Sequence, residues 1–435
     1  MKLNIPSSPI RTHEGAKAKH INPEQQLRRS VMACMLWESE FYESGESIAK
    51  RISETIPKVR PEVVAAIAVE AREKMKLRHV PLLIVREMAR LNSHKPFVAE
   101  TLSRVIQRPD ELSEFVAIYW KDGKQPFSKQ VKLGLAQAFT KFDEYSLSKY
   151  NRDGAIKLRD VLFLCHAKPK DENQAVLFKK LVDGSLAIPD TWEVSLSSGA
   201  DKKETWIRLL GERKLGALAL LRNLRNMHQS GVPEIVIRSA LKDIRTERVL
   251  PFRFIAAARF APQLEPELEE AMFKCLDGKQ KLPGRTMLLV DVSGSMDASI
   301  SSKSDLRRLD AACGLAMLLR EVCESASILT FSNGIVQVPP RRGFALRDAV
   351  VNSQAHSGTY LGQTVRHCMQ FESERIIVIS DEQTADPVPD ADRKAYMVNV
   401  ASAKNGVGYG SWSHIDGWSE SIVDYIQTCE SDEAG

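Results

Sequence analysis

The chain has 435 residues, enough for two or more domains with their own cores, and 43% hydrophobic and 27% charged residues are ordinary for a soluble globular protein. No stretch reaches the roughly 18 to 20 apolar residues of a membrane span, and the opening Met-Lys-Leu-Asn-Ile-Pro-Ser-Ser-Pro lacks a secretory apolar segment, so a cytoplasmic protein without a membrane partner is expected. The net charge of +5 is unevenly spread: 13 Lys+Arg face 20 Asp+Glu from Arg285 onward and 48 face 36 before it, which points the first part toward a polyanionic partner.

Residues 1–22 are polar, with Pro6, Pro9 and Gly15, and read as a flexible arm. From residue 23 to about 280 apolar residues recur at helical spacing in segments of about 10 to 16 residues separated by Pro- or Gly-marked turns. The predicted helices are 25–37, 47–56, 62–75, 81–91, 97–106, 111–120, 129–142, 156–166, 174–181, 204–210, 215–227, 233–244, 251–260 and 265–275. This is the texture of paired-helix, HEAT-like repeats without a clean period. Within it, residues 121–170 hold eleven Lys+Arg against five Asp+Glu. Lys129 and Lys132 share a helix face, opposite Val131, Leu135 and Phe139. Together with Lys149, Arg152, Lys157, Arg159 and His166 they form the candidate phosphate-contacting set. Phe142, Tyr145 and Tyr150 are interleaved as candidate base-stacking rings, Phe142 also reading as core.

Asp277-Gly-Lys-Gln-Lys-Leu-Pro-Gly284 is a turn-rich junction, after which the pattern becomes strand, helix, strand over residues 285–435. Strands are predicted at 286–291, 327–331, 376–380 and 395–400, with helices at 306–322 and 418–429. That alternation argues for a doubly wound parallel α/β sheet. The first strand runs directly into Asp291-x-Ser293-x-Ser295, and Ile376-Ile-Val-Ile-Ser380 runs into Asp381. Carboxylates and hydroxyls at the carboxyl edge of a sheet are hard oxygen donors, suited to Mg²⁺ first, with Mn²⁺ or Ca²⁺ as alternatives. Thr359, in Ser357-Gly358-Thr359, offers a further hydroxyl, and Asp297 and Glu382 are candidates for an outer shell. The seven cysteines are dispersed and read as reduced, buried thiols. No Gly-x-Ser-x-Gly, His-Glu-x-x-His or phosphate loop is present, and Gly406-Val-Gly-Tyr-Gly410 lacks the flanking strand and helix of a nucleotide site. Catalysis is not expected.

Asp291, Ser293, Ser295, Thr359 and Asp381 resemble the metal-ion-dependent adhesion site of the von Willebrand factor A domain. A helical-repeat region followed by such a domain, with a basic first half, resembles the TROVE-domain proteins, the family of the Ro autoantigen. The stretches that carry it are 77–83 (Leu-Arg-His-Val-Pro-Leu-Leu), 86–90 (Arg-Glu-Met-Ala-Arg), 129–136, 157–166 with Lys168-Pro169, and 220–227 (Leu-Leu-Arg-Asn-Leu-Arg-Asn-Met). The resemblance implies helical repeats bent into a ring closed by the A domain. It also implies a monomer that binds small structured noncoding, Y-like RNA on an outer basic surface and takes single-stranded 3′ ends of misfolded RNA. An exoribonuclease, or another protein gripped through the metal site, is the implied protein partner. From a different class, the chain reads as a metal-dependent protein-interaction adaptor without an RNA role.

Overall fold

The computed structural model describes residues 10–32, 44–151, 153–197, 199, 201–247, 249–300, 306–401 and 403–432. Two compact units form, Ala49–Leu209 and Met1–Ile48 together with Leu210–Gly435. The helices between Ala217 and Phe273 therefore group with the later strands and not with the helices that precede them.

The Ala49–Leu209 unit is helical. Pro61–Glu73 packs on His79–Arg90 and Lys95–Val105, Lys95–Val105 on Lys129–Phe139, and Lys129–Phe139 on Leu158–Cys165. Each helix turns an apolar stripe inward; for Lys129–Phe139 the stripe is Val131, Gly134, Leu135, Ala138 and Phe139. Gly134 permits the close approach of its neighbour, because a Cβ there would lie 2.8 Å from the Ala99 carbonyl oxygen. Starts are set by capping side chains: Ser128, Asp143 and Asp171 accept from the amides of Val131, Ser146 and Gln174. The periodicity locates these helices to within a few residues; the short Glu144–Tyr150 and Trp192–Ser197 helices lie outside its reach. Phe142 is buried, as its core reading requires.

The second unit carries a six-stranded sheet. Its strands are β1 (Leu282–Asp291), β2 (Cys323–Phe331), β3 (Ile335–Gln337), β4 (Arg375–Ser380), β5 (Lys394–Asn399) and β6 (Ser413–Asp416), in the order β3-β2-β1-β4-β5-β6. All neighbours pair in parallel except β3, which adds antiparallel to β2. The sheet is thus mixed where a parallel one was expected, and β3 and β6 are additional strands. The long Arg308–Val322 helix buries nearly every side chain, and its Gly314 meets Pro251, where a Cβ would come within 3.2 Å. Met287, Leu289, Phe331, Leu361, Ile376, Val378 and Met397 lie in one core cluster. Strand order reverses between β1 and β4, so their carboxyl ends flank the crevice where open α/β sheets place ligands.

Residues 10–22, the described part of the expected arm, are held on this unit through Thr12, His13 and Lys19. Thr12 Oγ1 donates to the Thr384 carbonyl at 2.6 Å, the His13 amide to Gln383 Oε1 at 2.8 Å, and the Lys19 amide to the Gly406 carbonyl at 3.0 Å. The six described cysteines, 165, 275, 313, 323, 368 and 429, are free thiols. No helix among the described residues is long and apolar enough to cross a membrane.

Candidate nucleic-acid interface and metal centre

In the helical unit, the Leu158–Cys165 helix ends in His166, whose left-handed conformation (φ 55°) lets its amide cap the Leu162 and Phe163 carbonyls. Arg159, Phe163 and His166 follow one another at i, i+4 and i+7, and all three are exposed. Lys132, from the packed Lys129–Phe139 helix, brings its Nζ within 3.5 Å of His166 Nε2, and Lys129 is exposed one turn earlier. This face therefore combines cations with an exposed ring, Phe163 at 59%, that sequence reasoning missed. An apolar pocket of about 440 Å³ adjoins it, lined by Phe163, His166, Pro169, Phe178 and Lys179 among others.

The other candidates are placed differently. Lys157 Nζ pairs with Asp153 Oδ1 at 2.8 Å; Arg159, on the face just described, also has its Nε 3.8 Å from Asp160 Oδ1. Lys149 Nζ stands 5.8 Å from the centroid of the Tyr150 ring, which also carries Arg108 at 4.5 Å. Lys141, from the same charge run, donates to the Ser103 and Ile106 carbonyls. Arg152 lies outside the described residues.

In the second unit the sheet brings Asp291 and Asp381 to the switch crevice. Both are fully buried, as is Ser293, and Thr359 is nearly so. Asp291 Oδ1 accepts from the Ser293 amide at 2.9 Å and Oδ2 from Ser380 Oγ at 2.6 Å. The Ser293 and Ser295 hydroxyls are 3.3 Å apart. Gly294 donates its amide to the Ser357 carbonyl at 2.8 Å, and the Thr359 carbonyl accepts from Thr384 Oγ1 at 3.0 Å. These bonds hold the three segments side by side. Burial, and then the negative charge of Asp381, pushes the Asp291 carboxyl up to about 7. Arg308 Nη1 lies 3.7 Å from Asp381 Oδ2 and partly offsets that charge. Among the described residues no three His, Cys, Asp or Glu cluster as a metal cage; the candidate set has two carboxylates, and its remaining donors are hydroxyls.

The two outer-shell candidates are committed elsewhere. Asp297 pairs with Arg307 and His356, each at 2.7 Å. Glu382, at φ 61° just past β4, is the centre of a buried network. Its Oε1 meets Arg29 Nη1 at 2.8 Å and His414 Nε2, while its Oε2 accepts from the amides of Val407 and Gly408 at 2.8 Å. Burial alone would raise Glu382, but Arg29 and then His414 hold it well below the usual carboxylate range. Burial would likewise lower His414, yet Asp416 and Glu382 carry it up to about 9.

Comparison with known proteins bears on both architectures. The crystal structure of the Deinococcus radiodurans RO (RSR) protein matches with a TM-score of 0.59 at 18% identity, over 94% of this chain and 100% of that one, a likeness of fold. The helical region with a von Willebrand A-like α/β sheet expected from the sequence is the fold class found. Telomerase protein component 1 of Mus musculus is 22% identical over 307 residues, and its Rattus norvegicus counterpart 22% over 329, covering 50% and 55% of this chain. The chain spans 12% of the length of those relatives. The TROVE domain model matches residues 10–184 and 184–286, more than half of the sequence, and the chain belongs to the TROVE-domain family.

Proposed function

We propose that the chain is an RNA-binding protein of ribonucleoprotein type. In this reading it binds small structured, Y-like noncoding RNA and single-stranded 3′ ends of misfolded RNA, and acts in RNA stabilisation or quality control in the cytoplasm. The observation that carries it is the exposed face that bears Lys129, Lys132, Arg159 and His166 together with the exposed ring of Phe163. Cations there neutralise phosphates without regard to sequence, and an exposed ring stacks on an unpaired base. Family membership supports the same reading, as does the fold shared with a protein named Ro. The protein acts as a binder and not as an enzyme, and works as a monomer.

The metal site enters the proposal through its donors. Two buried carboxylates, each within Coulombic reach of the other, with hydroxyls beside them, fit a hard divalent cation better than they fit each other. Asp291, Ser293, Ser295, Thr359 and Asp381 would hold Mg²⁺, with Mn²⁺ or Ca²⁺ as alternatives, and the cation would supply a positive centre for a partner carboxylate. The buried acidic pair favours a second reading, an adaptor that grips a protein, an exoribonuclease included, through that cation.

A gel-shift titration decides between them, using a structured RNA with a single-stranded 3′ tail against its tailless form at two salt concentrations. Tail-dependent binding that weakens steeply with salt supports the RNA reading. No binding of either RNA at low salt sinks it and leaves the adaptor.

A further inference from the structure

The motif Leu220-Leu-Arg-Asn-Leu-Arg-Asn-Met227 is not absorbed by either site above. It lies on the Ala217–Gln229 helix, which packs against Phe252–Phe260 in the unit that carries the sheet. Leu220, Leu221, Leu224 and Met227 face inward, which turns Arg222 and Arg225 outward. Between the two helices lies a cavity of about 320 Å³, lined by Leu218, Leu221, Ala256, Ala257 and Phe260 with Arg222, Arg225 and Arg253. Its size is at the low end of the roughly 300–1,000 Å³ of small-molecule sites.

The three arginines are unusual in this molecule. Most arginines on its surface pair with a carboxylate, as Arg238 does with Glu234 and Glu267. Among the described residues, Arg222, Arg225 and Arg253 make no hydrogen bond or ion pair through their guanidinium groups. Arg225 and Arg253 lie instead over the rings of Phe260 and Phe252, at 5.8 and 5.0 Å from the centroids. Arg253 is largely buried, and its burial and the charge of Arg222 both work against its protonated form. Like charges held together over an apolar floor with no carboxylate in the lining are a cost that folding alone does not explain.

We infer that this cavity is a nucleotide subsite for single-stranded RNA. The backbone phosphate is held by Arg222 and Arg253, and the base lies on the Leu221 and Ala257 floor against Phe260. The lining contains only guanidinium groups and apolar side chains, so it offers a phosphate its planar donor forks and a base its faces, with no acceptor to read base edges. Phe260 is 51% exposed at the rim, open to a stacking partner. Recognition is therefore of strand and phosphate, not of sequence. The inference rests on the RNA reading proposed above and assigns part of it to a surface away from Lys132 and His166.

The test is fluorescence anisotropy of the full chain with a short 5′-labelled oligouridine, across a salt series. The variants are Arg222→Gln, Arg253→Gln, their combination, Phe260→Ala, and Arg341→Gln, on an exposed residue outside both basic faces, as the control. The double variant is expected to weaken oligouridine at least about tenfold, the size of one charge-assisted hydrogen bond to phosphate. It should also flatten the salt slope by about 0.7, the value for one phosphate of a single strand that is no longer neutralised. Phe260→Ala weakens binding with the slope retained, and Arg341→Gln leaves oligouridine binding within about twofold. Removing an unpaired, largely buried charge leaves the melting temperature of Arg253→Gln at or above that of the unmodified chain. Arg222 is exposed, so Arg222→Gln alone decides the matter even if Arg253→Gln misfolds. Oligouridine binding by the unmodified chain with unchanged affinity and slope in Arg222→Gln overturns the subsite and spares the RNA reading. Absence of any RNA binding by the unmodified chain at low salt overturns both.

Discussion

Replacing Glu382 by Gln keeps the side chain's shape and removes one buried charge, which isolates the electrostatics of the network. Glu382 and Arg29 are both fully buried, and their closest atoms are 2.8 Å apart. Two backbone amides, from Val407 and Gly408, also rest on the carboxylate at 2.8 Å. Deleting one partner of a buried pair typically costs roughly 3–5 kcal/mol, because the other charge is left uncompensated. Asp416 lies close enough to act on both Arg29 and His414, so the lower end, about 3 kcal/mol, applies here. At about 1.4 kcal/mol per decade this is about a hundredfold increase in the opening equilibrium of the surrounding backbone. Hydrogen exchange by mass spectrometry over Pro23–Met32 and Ser413–Asp416 reads that opening directly, without assuming that a chain of two units unfolds in one step. Glu372→Gln, on an exposed residue, is the control. If Glu382→Gln exchanges within about threefold of the unmodified chain in both segments, the carboxylate is not what holds the first helix to β6, and the electrostatic account fails.

Three further outcomes follow from the same geometry. His414 is held protonated in the folded chain, so its contribution to stability is complete below the ordinary histidine value of about 6.5 and is lost as pH rises through about 9; melting temperature should fall over that window, and less so in His414→Gln, whereas a flat profile to about pH 9.5 would contradict the assignment. Millimolar Mg²⁺ should raise the melting temperature by about 5 °C if it saturates the site about a hundredfold above its Kd, with no response in Asp291→Asn. That variant should itself melt slightly higher without metal, since it removes the repulsion from Asp381; an equal Mg²⁺ response in the two proteins would move the cation elsewhere. Lys132→Glu should weaken structured RNA about tenfold and lower the salt slope by about one, and Phe163→Ala should cost about 1–3 kcal/mol on tailed RNA with no loss of stability; unchanged gel shifts in both would place that RNA on another surface.

The parts of the fold that were legible are those whose burial follows a simple period. Ile376 to Ile379 is apolar throughout because β4 lies between β1 and β5 with both faces covered, and such a run has few other readings. The strands that escaped are short or polar. β3 spans three residues at an edge, and β6 reads Ser-His-Ile-Asp, two of whose side chains belong to the Glu382 network instead of an apolar face. Asp291, Ser293, Ser295 and Asp381 could be picked out as candidates because they follow strand ends, and Thr359 by its hydroxyl in Ser357-Gly358-Thr359. Arg29 could not: in Gln-Leu-Arg-Arg-Ser-Val it reads as a solvated helix face, and its partner stands 353 positions away. Phe163 misled in the opposite direction, since it sits among Val161, Leu162 and Cys165 and differs from them only in pointing outward.

Charge shows most plainly what a linear reading leaves out. Counting picks residues 121–170 as the basic stretch, yet Lys141 there is spent on two carbonyls and Lys157 on Asp153. The arginines at 222, 225 and 253 are spread over 32 residues that hold seven Lys+Arg against three Asp+Glu, and the packing of two helices gathers these three around one cavity with no carboxylate in its lining. What attracts a phosphate is the field left after internal pairing, not the number of cations in a window. A basic residue already facing a carboxylate adds little to that field, and one held over an apolar floor adds nearly its full charge in a medium that screens it poorly. Of the two basic surfaces, the smaller one around Arg253 is accordingly expected to hold a single strand more tightly for each phosphate it meets, and the broader one around Lys132 to orient a structured RNA.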